Sequence, residues 1–424
     1  MKVLIVNTSE RAGGAAQAAC RLKDALNNQG TKAKMLVRDK ETDDLTVVGV
    51  SKGIRGSWHF LWERWCVFFH LRFSKKHLFD VDIANSGFDI TTLPEFKEAD
   101  VIHLHWVNQG MLSLNGIRKI LQSDKAVVWT LHDAWPSTSI CHLTLGCRRF
   151  ENGCQRCKYL PGGGSPTDLS AQVWQKKSRM LDGQSLVFVA CSRWLAGEAK
   201  RSGLLKSHRV ESIPNPIDTR LFHPGSQVEA RELLELPVDK RLILFVAQRA
   251  DKVNKGMGYL CKACKRLVEA HPEMREKAAV IVLGGHAEDV VADLPLPAYP
   301  LGYVNDPNRM VLVYNAADLF VLPSLSENLP NTIMEAMACG VPSIGFKVGG
   351  IPEMIEHKKN GYVADYKSSE DLAAGLYWVL EEADAVALSS FARQKAVKEY
   401  SQHTVALRYN EVYNHALAMK HYKL

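Results

Sequence analysis

The chain has 424 residues, 46% of them hydrophobic and 23% charged, proportions of an ordinary water-soluble globular protein and not of a collagen-like or disordered one. That length exceeds a single core, so two or three domains are expected. The formal net charge of +7 is uneven, with +10 over residues 1–217 (30 basic against 20 acidic) and −3 over residues 218–424 (23 against 26). Such a bias points the first half toward an anionic partner (phosphate, acidic glycan or membrane surface), or else to a solvated basic face.

The chain opens with "MKVLIVNTSERAGG", whose apolar run covers only Val3 to Val6. A run that short reads as a buried strand, not as a leader or membrane span, and no run of about eighteen apolar residues occurs elsewhere. The expectation is a cytoplasmic chain starting here, in which ten cysteines serve as thiols or metal ligands instead of disulfides. Gly13 and Gly14 follow the strand and open a helix. The stretch is not G-x-G-x-x-G, and no clear Asp or Glu ends a second strand about twenty positions on, so the dinucleotide fingerprint is missing. A Gly-Gly turn lets backbone approach a ligand phosphate or sugar, or serves packing alone.

Residues 56–77, "GSWHFLWERWCVFFHLRFSKKH", set Trp58, Leu61, Trp62, Trp65 and Phe69 on one helical face. Aromatics interleaved with bases suit a membrane interface. The same pattern suits a helix packed onto its own domain, which is the expectation adopted. "VVWTLHDAWPSTSICH" ends a strand with His132 and Asp133, where ligand-facing groups collect in α/β sheets. His132 either contacts a sugar or bonds its neighbours. Cys141, Cys147, Cys154 and Cys157 follow; a C-x2-C with two further cysteines can form a closed, structural zinc site, with unligated buried thiols as the alternative.

Residues 209–225 carry three prolines and read as a seam between domains. Before and after it, continuous apolar runs alternate with turns and helix-like segments: Val3–Val6, Val101–His105, Ala126–Leu131 and Leu186–Ala190, then Leu242–Ala247, Ala279–Leu283, Leu319–Leu322 and Ser343–Phe346. Continuous hydrophobicity fits parallel strands covered on both faces. The alternation predicts two Rossmann-like, doubly wound α/β domains facing a central cleft. The first spans 1–212 and the second 218–400. A last helix, about 401–424, carries Ala406, Tyr409, Val412, Tyr413 and Leu417 on one face and could cap either.

In the second half, Arg249 and Lys255 sit in the loop after a strand, apt for clamping a diphosphate. "PSLSENLPNTIMEAMACGVP" sets Glu327 and Glu335 eight positions apart around a helix taken to begin at Pro330 and to run to about Cys339. Eight helical residues rise about 12 Å, whereas glycosidase carboxylates stand roughly 5–9.5 Å apart. The spacing fits a ligand about a dozen ångströms long better, with its anionic middle at the helix N-terminus. A solvent-facing Glu335 is the plainer alternative.

Arg249 with Lys255, followed by "LGYVNDPNRMVLVYNAADLFVLPSLSENLPNTIMEAMACGVPSIGFKVGGIPEMI" and "NGYV", strongly resembles the retaining GT-B glycosyltransferases of glycosyltransferase family 4, whose E-x7-E pair would be Glu327 and Glu335. The resemblance implies metal-independent transfer of a sugar from a UDP- or GDP-linked donor to a glycan or lipid-linked acceptor, as in surface polysaccharide biosynthesis. It implies that the second domain binds the donor and the first the acceptor, and that the last helix crosses back onto the first domain. Carried over, Arg249 and Lys255 would stabilise the departing diphosphate, Glu335 would hold the ribose and Glu327 the donor sugar. Leu329, Pro330 and Asn331 would meet phosphate or sugar oxygens, Tyr303 and Val304 would flank the base, Gly13 and Gly14 would lie near the diphosphate and His132 near the sugar. Asn328, where glycine is commoner, and "AQR", where Gly-Arg is usual, depart from the pattern. A GT-B-fold nucleotide-sugar epimerase and a non-catalytic sugar-nucleotide-binding protein are the alternatives. No nucleic-acid motif accompanies the basic first half, and peripheral contact with the inner membrane would suit a lipid-linked acceptor.

Overall fold

The computed structural model describes residues 1–50 and 54–421, which form two compact units: Met1–Pro216 with the segment from Gln402 onward, and Ile217–Ser401. The boundary falls inside the proline-rich seam. The first residues of that seam, however, are a strand, because its prolines come only afterwards and an edge position tolerates them.

Unit 1 is built on seven parallel strands: β1 (Lys2–Ser9), β2 (Lys32–Asp39), β3 (Val47–Gly49), β4 (Val101–Leu104), β5 (Ala126–Leu131), β6 (Val187–Ala190) and β7 (Arg209–Ser212). Their order is β3-β2-β1-β4-β5-β6-β7, with Ile5 facing Met35 on one side and His103 on the other. β4, β5 and β6 are buried along their whole lengths, as expected of strands sandwiched between helices. Helix α1 (Gly14–Asn28) follows β1, and α2 (Ile54–His70) follows β3.

The C-terminal helix Gln402–His421 packs within this unit, burying Val405, Ala406, Tyr409, Val412 and Tyr413 against Ile5, Leu22 and Val128. Two of its tyrosines are buried because partners satisfy them. The Tyr413 hydroxyl lies 2.8 Å from His103 Nδ1, and the Tyr409 hydroxyl 3.0 Å from Thr130 Oγ1.

Unit 2 has six parallel strands: β8 (Arg241–Arg249), β9 (Ala278–Gly285), β10 (Ala298–Gly302), β11 (Leu319–Leu322), β12 (Ser343–Phe346) and β13 (Gly361–Ala364), ordered β10-β9-β8-β11-β12-β13. Phe245, Val282, Val321, Ile344, Leu260 and Leu376 belong to its core. In each sheet the strand order reverses at one place, between β1 and β4 in unit 1 and between β8 and β11 in unit 2. Open α/β sheets bind ligands beyond the strand ends at such points. Among the described residues no helix is long and apolar enough to cross a membrane.

Candidate functional site

In unit 2 both strands flanking the reversal end in chemistry. β8 ends on Arg249, whose fork is taken by Asp251, with Nε 3.0 Å and Nη2 2.7 Å from its two carboxylate oxygens. The guanidinium is exposed and lowers the pKa of Asp251. A short turn, Val253–Lys255, then leads through Gly256 into the helix Met257–Ala270. Gly256 has φ +80°, and a Cβ there would overlap the carbonyl oxygen of Pro323 at the end of β11. Only glycine permits this close approach, and Leu325 N donates to Asn254 O at 2.9 Å beside it. The loops after β8 and β11 are thereby pinned together.

That pinning sets Lys255 against Glu327, Nζ to Oε1 2.6 Å, with the carboxylate side chain only 14% exposed. Glu327 is fixed from its other side by Gly349 at φ +58°, where a Cβ would overlap the Glu327 carbonyl oxygen. Asn328, at the position where the family pattern favours glycine, accepts a 2.8 Å bond from Gly350 N through its carbonyl. Pro330, expected as the first helical residue, is instead the N-cap (φ −68°, ψ 120°) of the helix Asn331–Ala338. Its ring cannot donate, and its extended ψ places it outside the helix, which begins one residue later than expected. The helix also ends one residue earlier than expected, at Ala338. Leu329 and Pro330 are buried and Asn331 is half-buried, at the mouth of that helix.

Glu335, one turn into it, does not face solvent: it is 5% exposed and accepts from the Tyr314 hydroxyl at 2.8 Å. A buried carboxylate requires such donors. Tyr303, exposed, and Val304, half-buried, stand on the loop after β10. The structure therefore joins Lys255 to Glu327, while Arg249 and Glu335 bond to Asp251 and Tyr314.

In unit 1, Gly13 is the N-cap of α1 at φ +89°, and both Gly13 and Gly14 are exposed just past β1. His132 follows β5. Its Nε2 lies 2.8 Å from His105 Nδ1 and its Nδ1 3.4 Å from the Cys191 thiol. Burial lowers the His132 pKa to about 4, so this imidazole is neutral at pH 7. His103 and His105 are more deeply buried and likewise neutral. His103 lies on β4 and His105 one residue past its end, two positions on, with their rings 4.2 Å apart between centroids.

Asp133 accepts from His142 Nδ1 (2.7 Å), Trp106 Nε1 (2.9 Å) and Trp135 N (2.8 Å), and His142 Nε2 reaches Asp82 at 2.6 Å. Burial opposes charge on His142, but Asp133 and Asp82 outweigh it and raise its pKa to about 10. This network was not expected from the sequence. The signal for it, carboxylates and histidines each next to a strand end or a proline turn, is too diffuse to pair by eye.

Cys141, Cys147, Cys154 and Cys157 line one cavity together with Tyr159 and Ser170. All ten cysteines are free thiols. Among the described residues no three His, Cys, Asp or Glu side chains are grouped to hold a metal ion. Burial pushes the thiols of Cys141 and Cys154 up to about 11 and about 12, keeping them protonated.

The profile of the family described as "Glycosyltransferase Family 4" matches residues 12–221, and that of "Glycosyl transferases group 1" matches residues 240–382. The chain is 30% identical over 172 residues to a D-inositol 3-phosphate glycosyltransferase of Acidothermus cellulolyticus, covering 37% of each chain. With the corresponding protein of Thermobispora bispora the match is 28% over 230 residues, 50% of this chain and 52% of that one. The chain thus spans about half the length, or less, of these curated relatives. A glycosyltransferase of Methanocaldococcus jannaschii matches at 25% over 371 residues, 80% of this chain and 90% of that one.

Among solved structures, sucrose-phosphate synthase of Thermosynechococcus elongatus superposes with a TM-score of 0.67 at 18% identity, covering 98% of this chain and 99% of the other. Anabaena HepE, solved with UDP-glucose, superposes at 0.64 and 16%, covering 98% and 100%. Two family profiles, one for each half, together with the same pair of Rossmann-like units, show that this chain belongs to the family 4-type GT-B glycosyltransferases.

Proposed function

We propose that this protein transfers a sugar from a UDP- or GDP-linked donor to a glycan or lipid-linked acceptor, with retention of anomeric configuration, in the building of a surface polysaccharide. The observation that carries the reading is the 2.6 Å Lys255–Glu327 contact at the reversal point of the unit 2 sheet. It puts an ammonium and a carboxylate side by side, near the start of the helix Asn331–Ala338, where free amides favour anions.

On this reading the diphosphate displaces Asp251 from the Arg249 fork and draws the Lys255 ammonium. Glu327 then accepts from hydroxyls of the donor sugar and Glu335 from the ribose. The bond between the anomeric carbon and the phosphate oxygen breaks, and charge grows on the leaving diphosphate. Preorganised cations and amides are effective where charge develops, which is the work assigned to Arg249, Lys255 and the backbone at Leu329–Asn331. The acceptor hydroxyl forms the new bond on the face that the diphosphate leaves, and its proton passes to a departing phosphate oxygen. Unit 1 takes the acceptor, and its positive balance suits an anionic one. There the neutral His132 imidazole, exchanging its Cys191 contact for the ligand, and the Gly13–Gly14 turn are assigned to sugar or phosphate oxygens.

The test is nucleoside diphosphate release from a panel of UDP- and GDP-sugars, with and without phosphorylated polyol, glycan and lipid-linked acceptors. Acceptor-dependent release, with product of unchanged anomeric configuration by NMR, is the expected result. Interconversion of the donor sugar without release would replace the reading with an epimerase.

A further inference from the structure

Helix α2 is inside out. Two charged residues in its middle are buried: Glu63 is 0% and Arg64 6% exposed. The Glu63 carboxylate accepts from Ile83 N (2.9 Å) and Ala84 N (2.6 Å), while Arg64 donates to the carbonyls of Leu78 (2.6 Å) and Val81 (3.1 Å) and pairs with Asp82. Val67 packs on the same side. The opposite face, expected from the sequence to pack on its own domain, is instead open to solvent.

Trp58, Leu61, Trp62, Trp65 and Phe69 are 45–62% exposed. Their rings form a ladder, Trp58–Trp62–Trp65–Phe69, with centroids 6.4, 6.3 and 6.2 Å apart. Phe73 and Phe79, each 62% exposed, extend it past the helix end. An apolar patch of this size, fixed by a buried ionic network on its reverse, marks an interaction surface.

The composition and charge of the patch select its occupant. Between Ser57 and Phe79 the exposed formal charges are Arg72, Lys75 and Lys76, all cationic, because Glu63 and Arg64 point inward. Tryptophan and phenylalanine flanked by lysine and arginine match the boundary between acyl chains and anionic headgroups. A second copy of this chain would bring like charges together at the rim.

We propose that the outer face of α2, with Phe73, Phe79 and the Arg72–Lys76 segment, docks unit 1 onto an anionic lipid bilayer surface, lying in the interface and not spanning it. The docking does not depend on which sugar is transferred, and it accounts for a basic, aromatic first half.

Co-sedimentation of the full chain with phosphatidylcholine vesicles, with and without about one-third phosphatidylglycerol, tests the proposal, with tryptophan emission recorded in parallel. The expected result is binding to the anionic vesicles at low salt, a blue shift of the emission, and at least tenfold weaker binding in high salt. Trp62→Ser with Trp65→Ser, and separately Lys75→Glu with Lys76→Glu, are expected to lose at least tenfold in binding while keeping the far-UV spectrum and Tm. No binding to anionic vesicles at low salt would overturn the proposal. So would a wild-type dimer by light scattering that the tryptophan variant abolishes, which would assign the face to a second copy.

Discussion

Lys255 and Glu327, 72 positions apart in the chain, meet at 2.6 Å because Gly256 lets the loop after β8 press against Pro323 and Gly349, in the loop after β12, lets that loop close on the Glu327 carbonyl. The pair is partly exposed, and such pairs contribute only about 0–1 kcal/mol to stability. On the proposed function, the pair at the sheet reversal handles the donor. Lys255→Ala and Glu327→Gln are therefore expected to shift Tm little and to lower kcat about a hundredfold or more. Steady-state kinetics beside a thermal melt separate the two effects.

The glycines can be tested apart from the charges. At Gly349 an alanine would need φ near +58° and would collide with the Glu327 carbonyl oxygen. Backbone strain of that kind costs about 1–3 kcal/mol. Gly349→Ala should lower both Tm and kcat, unlike Lys255→Ala. An unchanged Tm and full activity would show that the loop does not depend on this turn.

Glu335 is held in the interior by the Tyr314 hydroxyl. Tyr314→Phe removes one donor from a buried carboxylate, a change worth about 1–3 kcal/mol. The expected consequence is a several-fold rise in donor KM with a smaller fall in kcat, since the side chain would bind ribose and stand off the reacting bond. Glu335→Ala should raise donor KM further.

His142, wedged between Asp133 and Asp82, has its pKa raised from 6.5 to about 10. A raised folded-state pKa stabilises fully below the unfolded value, and the gain disappears as pH climbs through the folded value. The stability gap between wild type and His142→Gln should thus be large at pH 6, narrow from about pH 6.5 upward and be smallest near pH 10. Breaking such a buried pair costs about 3–5 kcal/mol. Lys177, buried with its pKa lowered to about 7, moves total stability the opposite way over part of this range. The difference between the two proteins, not the wild-type curve alone, is the quantity to follow.

Much of this architecture was legible. β1, β4, β5, β6, β8, β9, β11 and β12 are buried on both faces, so their apolar runs stand out. β2 interposes Lys32 and Lys34, β3 has only three residues, β7 sets Arg209, Glu211 and Ser212 around Val210, and β13 opens on Gly361 and Tyr362. β10 carries Pro300 and is half-exposed at its edge, so its sequence reads as loop. At the site, Arg249, Lys255, Glu327 and Glu335 could each be named from motif and position. Which of them touch could not, because contacts across 72 or 21 residues are set by glycine turns and by Tyr314. α2 misled for a different reason. Its period was correct, but the usual inward direction for aromatics was reversed by backbone amides and Asp82 in the irregular segment after it, which supply Glu63 and Arg64 with partners.

The central claim is that unit 2 grips a nucleoside diphosphate through Lys255 and its neighbours. Isothermal titration of UDP and of GDP into wild type and Lys255→Ala addresses it directly. One of the two nucleotides should bind the wild type at a single site, and the variant should bind it at least tenfold more weakly. Equal affinity in both proteins, or no binding of either nucleotide to the wild type, would contradict the claim.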